Sequence, residues 1–197
     1  MNLQNLVILT HYEHSRKVSQ ISGMLAKHAG FSSWEADIIE QAAAFHDVGK
    51  SYVPESILQK NGALTPEEYE IVKTHAALGA QRISDALRIL TALNTMAALH
   101  HERPDGKGYP YGLGANEIHP YARLVAVVDV FDALLSKRAY KNPWQLKDVC
   151  DYMQQNAGTQ FDREYVELLL SLVDTVAALY NRIEPSNNKK SQGSEVY

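Results

Sequence analysis

The sequence predicts a single all-α domain. Three observations carry that prediction. Apolar residues recur at helical spacing along nearly the whole chain, no segment alternates apolar and polar residues as a half-buried strand does, and helix start and stop signals follow one another in order. A length of 197 residues fits one such domain.

Taken in order, a first helix is predicted from about Leu3 to Lys27, stopped at Gly30. Ser32 followed by Glu35 is a capping-box signature, with Phe31 as a hydrophobic staple, and it opens a second helix that ends on AAAFHD. Residues 53–62 read as a short helical turn closed by Gly62. Thr65 as N-cap, Pro66 at the first helical position and Glu68 at the third open the next long helix, which carries His75. A further helix spans roughly Leu87 to His100. The Gly-dense stretch 102–117 is predicted to be the longest loop, and loops of that length are usually functional. The run VAVVDVF reads as helix rather than buried strand, because apolar positions continue through Ala133 and Leu134. Asn142-Pro143 is expected to open a helix ending near Gly158, and Asp162 to open the last, running to about Arg182. That makes about seven helices in a domain over residues 1–183, followed by a polar tail, 184–197, predicted to be disordered.

Composition narrows the function classes. The chain is 45% hydrophobic and 21% charged, enough to bury a real core. A net charge of −4 gives no basic field to draw it to a nucleic acid polymer or an anionic membrane. The single Cys150 excludes an internal disulfide and a Cys-based zinc site, and suits a reducing, cytoplasmic setting. The first residues, MNLQNLVILTHYEHSRK, lack the basic region and cleavage site of a signal peptide, and their apolar run is too short to span a bilayer.

The chemistry-bearing residues are His46-Asp47, His75, His100-His101 and Asp129. Each lies near a predicted helix end or inside an otherwise apolar helix. A buried carboxylate without a partner costs several kcal/mol, so Asp47 and Asp129 call for a cation or a dense set of hydrogen bonds. Four imidazoles and two carboxylates suit two divalent ions sharing a bridging Asp, and such N/O donors favour iron, manganese or similar metals. Two ions about 3.5–4 Å apart activate a water and clamp a phosphoryl oxygen, which is hydrolysis of a phosphate ester. Singly, each of these residues reads as well as a structural one: a satisfied histidine, or an Asp paired with a Lys. The set as a whole does not.

At these residues the sequence resembles the HD superfamily of metal-dependent phosphohydrolases, and most closely its HD-GYP branch. The match is carried by HDVGK (46–50), KTHAALGA (73–80), HHERPDGKGYP (100–110) and DVFDALLSKRAYK (129–141), with HSRKVS (14–19) resembling the first-helix segment. The resemblance implies a fold of packed helices and hydrolysis of cyclic di-GMP to pGpG, GMP or both. It implies His46 and Asp47 as the metal-binding pair with Asp47 bridging, His75, His100 and His101 as ligands of one ion, and Asp129 as the closing carboxylate. It also implies Lys50 beside the scissile phosphate, Arg138 and Lys141 on phosphate or base, and Gly108, Tyr109 and Pro110 as the signature tripeptide. The chemistry agrees. Charge developing on phosphorus needs cations, Arg138 presents a planar fork that Lys141 does not, Gly106 and Gly108 let a backbone approach a ligand, and Tyr109 offers a ring either to stack on guanine or to pin the loop.

Some members of the family hold a third metal, using an acid one turn before the first-helix His, that His, and the Asp three residues after the closing Asp. The last two are His14 and Asp132 here, but Thr10 stands at the first position. Two ions and not three are therefore expected, with His14 behind the ligands or facing substrate and Asp132 orienting a ligand. The substrate alternative is another cyclic dinucleotide. The non-enzymatic alternative is a module that binds nucleotide or a signalling partner such as a GGDEF-type protein. The apolar LQNLVIL stretch suits either the core or a homodimer contact.

Overall fold

The structure, a computed structural model, describes residues 12–86, 91–136 and 142–183. The expected start of the first helix, Arg138, Lys141 and the tail 184–197 lie outside the described residues. The described residues form α1 (Tyr12–His28), α2 (Ser33–Ala43), a 3-10 helix (Val48–Tyr52), α3 (Glu55–Leu58), α4 (Pro66–Ala86), α5 (Thr91–Leu99), α6 (Pro120–Leu135), α7 (Leu146–Gln155), α8 (Arg163–Ser171) and α9 (Val173–Ile183). Among them there is no strand, only two isolated bridges, Asp105 with Gly114 and Ala157 with Phe161. Among the described residues no helix is long and apolar enough to cross a membrane.

The hub is α6. A helix apolar all round belongs in an interior, and α6 buries Ala122, Leu124, Val125, Ala126, Val127, Val128 and Phe131. It packs against α1, α5, α7 and α8, while α1 pairs with α2 and α4 with α5. Burial of each large aliphatic or aromatic side chain contributes about 1.5–3 kcal/mol. That supports a helix which also carries Asp129 and Asp132 into the interior.

Several starts follow the local signals. The Ser32 hydroxyl accepts from the Glu35 amide at 3.3 Å, and the Glu35 carboxylate accepts from the Ser32 amide at 2.9 Å. Thr65 and Glu68 form the same reciprocal box at the head of α4, and Lys60 adds an ion pair to Glu68. The Asp162 carboxylate caps α8 through the Glu164 amide, and Arg123 of α6 reaches its other oxygen at 2.5 Å.

Three boundaries differ from expectation. α2 stops at Ala43, so His46 and Asp47 sit on a tightened turn beyond its end, closed by the Phe45 and His46 amides on Ala42 and Ala43. α7 begins at Leu146 rather than at Asn142-Pro143. The Trp144 amide donates to the Leu134 carbonyl at the end of α6, which keeps the chain extended until Gln145. The last predicted helix is two helices, broken at Leu172, whose amide is shared among the carbonyls of Leu168, Leu169 and Leu170. No Gly or Pro marks that break.

The 3-10 helix that follows Asp47 is pressed onto α4. A Cβ on Gly49 would stand 1.8 Å from the His75 carbonyl oxygen and 2.6 Å from the Gly79 amide nitrogen, both rigid backbone atoms. Gly49→Ala is therefore expected to push the turn off α4 at a cost of about 1–3 kcal/mol, read as a lower urea midpoint. An unchanged midpoint would refute this packing.

Candidate metal centre

Five elements or their connections deliver side chains to one buried place. α1 supplies His14, the turn after α2 supplies His46 and Asp47, and α4 supplies His75. The turn after α5 supplies His100 and His101, and α6 supplies Asp129. The ligand-type atoms fall into two groups, each with all its members within 4.8 Å of one another: Asp47, His75, His100 and His101, and His14, His46 and Asp129.

Asp47 stands between the groups. Its Oδ1 lies 3.4 Å from His75 Nε2 and 3.9 Å from His100 Nε2, and its Oδ2 lies 3.4 Å from His46 Nε2 and 3.9 Å from His14 Nε2. The Lys50 ammonium also bonds Oδ2. Asp129 Oδ1 is 3.0 Å from His14 Nε2 and 3.4 Å from His46 Nε2.

The imidazoles are turned by their far nitrogens. Nδ1 of His46, His75 and His100 donates to the carbonyls of Ala43, Val72 and Met96 at 2.7, 2.6 and 2.7 Å. Each Nδ1 thereby holds the ring proton and leaves the Nε2 lone pair facing the centre. The Nε2 atoms of His14, His46, His75 and His100 are buried with no hydrogen-bond partner. Buried orphans of this kind are rare in a folded protein. Four of them converging beside two carboxylates fit a pair of divalent cations, and nothing in the donor set is a thiolate.

Burial and neighbouring charge shift these groups in two directions. Burial among other imidazoles holds His100 well below the ordinary histidine value, burial lowers His75, and burial pushes His101 down to about 3. All three are thus neutral, as ligands must be. Burial disfavours a charged His46, but Asp47 and Asp129 outweigh it and raise the group to about 10. His14 is raised as well, against its burial, by Asp129 and Asp132. Burial would raise Asp47 and Asp129, but Lys50 and His46 hold the first, and His14 and His46 the second, well below the usual carboxylate range.

The adjacent histidines are gathered by the loop that follows them. Their ring centroids are 4.0 Å apart, and the Tyr109 ring packs on His101 at 4.7 Å. The Tyr109-Pro110 peptide bond is cis. A Cβ on Gly108 would meet the backbone of His101, Glu102 and Arg103 at 2.5–2.6 Å, so this glycine is needed to fold the loop onto itself rather than to admit a ligand. Pro110 is half-buried. Glu102, not among the sequence-predicted site residues, is a buried carboxylate that accepts the amides of Tyr111, Gly112 and Leu113 at 2.6, 3.2 and 2.9 Å. The only signal for it was an acid next to two histidines. His14 lies inside the second group as a neighbour of His46 and Asp129, and Asp132 accepts from its Nδ1. The HSRKVS stretch marked its helix but not its partners.

A family model described as HD domain matches residues 3–165. The chain belongs to the HD domain family. A cyclic di-GMP phosphodiesterase of Thermotoga maritima is 38% identical over 183 residues, which cover 92% of this chain and 50% of that protein. A Vibrio cholerae protein named 3'3'-cGAMP-specific phosphodiesterase 2 is 37% identical over 182 residues, covering 90% of this chain and 35% of the other. The chain thus spans about half or less of the length of these relatives. Among solved structures, Bd1817, an HDG"Y"P protein from Bdellovibrio bacteriovorus, superposes with a TM-score of 0.69 at 20% identity over 84% of this chain and 54% of that one, a likeness of fold. With its HD pair at 46–47 and GYP at 108–110, this HD domain is of the HD-GYP type.

Hydrogen bonds to a charged carboxylate contribute about 1.5–3 kcal/mol. Glu102→Ala is therefore expected to speed hydrogen exchange at the Tyr111, Gly112 and Leu113 amides by roughly tenfold or more. Unchanged exchange at those three amides would show that Glu102 does not hold the loop.

Proposed function

We propose that this chain is a phosphodiesterase that hydrolyses cyclic di-GMP to pGpG, GMP or both, with two divalent ions, iron or manganese, held by His46, Asp47, His75, His100, His101 and Asp129, and with His14 beside them. The observation that carries the reading is the set of four buried, unpartnered Nε2 atoms around Asp47 and Asp129. When bound, a pair of divalent ions supplies a water ionised near neutral pH and positive charge for phosphoryl oxygens.

The chain's own residues then have distinct tasks. Asp47, with one oxygen toward each group, keeps the two groups in register. Lys50 is a cation at the edge of Asp47, where it meets the charge that develops on the phosphate. Tyr109, half-buried and packed on His101, both braces the loop and offers a ring to a guanine base. Arg138 and Lys141 remain our candidates for phosphate or base contact, the guanidinium for its bidentate fork. A protein with one unpaired cysteine suits the cytoplasm, where a nucleotide messenger is found. The relative named for 3'3'-cGAMP favours, as a second substrate reading, a mixed cyclic dinucleotide.

The test is turnover of cyclic di-GMP and of 3'3'-cGAMP by protein purified without air and loaded with Fe2+ or Mn2+, with metal counted per chain. Loss of outer partners alone costs metal sites about 10–100-fold, so Asp47→Ala and His100→Ala are expected to lose more than that in activity and to bind fewer ions. Preference for 3'3'-cGAMP would select the second reading. Full metal occupancy with no turnover of either dinucleotide would leave a nucleotide-binding module.

A further inference from the structure

Asp132 is a carboxylate with 0% of its surface exposed. Its Oδ2 accepts from His14 Nδ1 at 2.5 Å and from the Ser136 hydroxyl at 3.1 Å. Its Oδ1 accepts the Tyr180 hydroxyl at 2.5 Å. Tyr180 lies on α9, outside the 3–165 stretch that matches the HD domain. The Lys17 ammonium, one turn after His14 on α1, sits 4.9 Å from the centroid of the Tyr180 ring.

We infer that Tyr180 is a positioning residue for the His14–His46–Asp129 metal group, acting through Asp132 to set the orientation and tautomer of His14. The inference rests on the two-ion reading above.

The four orphaned imidazoles are not oriented alike. His46, His75 and His100 each lean on a carbonyl three or four residues back, within or at the end of their own helix. Those anchors are local in sequence. The anchor of His14 is instead a side chain 118 residues away. A metal ligand must offer Nε2 unprotonated, which requires the proton on Nδ1, and a carboxylate accepting from Nδ1 secures both the proton and the ring plane. Donors on one oxygen alone oppose rotation of a carboxylate about its Cβ–Cγ bond less than donors on both oxygens do. Ser136 and His14 share Oδ2, and Tyr180 holds Oδ1, so the hydroxyl on α9 completes the clamp. The Lys17 cation over the ring fixes the phenol in turn. One of the two ion sites therefore depends on α9, and the other does not.

The experiment is a Mn2+ titration of the metal-free full chain, with free Mn2+ counted by its EPR signal. The wild type is expected to take up two ions. Tyr180→Phe keeps the ring under Lys17 and removes the hydroxyl, and is expected to weaken one binding step about 10–100-fold while leaving the other within twofold. His46→Ala identifies the affected step by abolishing it. Ser136→Ala, which leaves α9 untouched, is expected to weaken the same step by a smaller factor, and it carries the test if Tyr180→Phe fails to fold. Both steps unchanged in Tyr180→Phe, or both weakened equally, would overturn the positioning role and leave the two-ion reading standing. In a Ser136→Ala protein standing in for it, an unchanged His46 step would do the same. A wild type that binds no Mn2+ would overturn the two-ion reading and this inference together.

Discussion

The arrangement hangs on one buried carboxylate. Asp47 sits where charge is expensive, and each of its oxygens looks toward a different set of imidazole nitrogens. A lone carboxylate in such a place costs several kcal/mol unless cations or donors surround it. Lys50 answers part of that demand from one side. The remaining demand comes as much from the imidazoles, whose inward nitrogens have lone pairs and no donor to satisfy them. Divalent cations meet both needs at once.

Much of the rest of the fold holds that carboxylate and its neighbours still. α2 stops just before His46, the 3-10 turn carries Asp47 against α4 through the bare Cα of Gly49, and α6 brings Asp129 up from the centre of the core. The apolar surface buried along α6 offsets the cost of taking two acids into its interior. The long loop after His101 is likewise a brace. The Glu102 carboxylate gathers three of its amides, Arg103 grips Asp105 through two hydrogen bonds, and the Asp105 amide ties the loop to Thr159. Tyr109 therefore leans on His101 from a rigid frame. A side chain that is to hold an ion must point within a narrow cone.

The two halves of the centre are supported differently. The group around His75, His100 and His101 rests on carbonyls close in sequence and on the loop directly attached to it. The group around His14 is assembled from α1, the turn after α2, α6 and α9. It is the more dependent on the whole domain being folded.

The helices, the caps at Ser32, Thr65 and Asp162, and the identities of the chemistry-bearing residues are legible in the chain by itself. Each is written in residues a few positions apart: a hydroxyl three before an acid, an Asp inside an apolar run, two histidines where a helix stops. The late start of α7, the break at Leu172, the buried Glu102 and the backbone contacts that forbid a side chain at Gly49 and Gly108 are not written there. Nor is the sorting of the ligands into two groups, or the line from Tyr180 through Asp132 to His14. Those were decided only when helices far apart in sequence packed together. Periodicity and capping report what a segment does with its own backbone, and they carry no information about which distant side chain will meet it in the core.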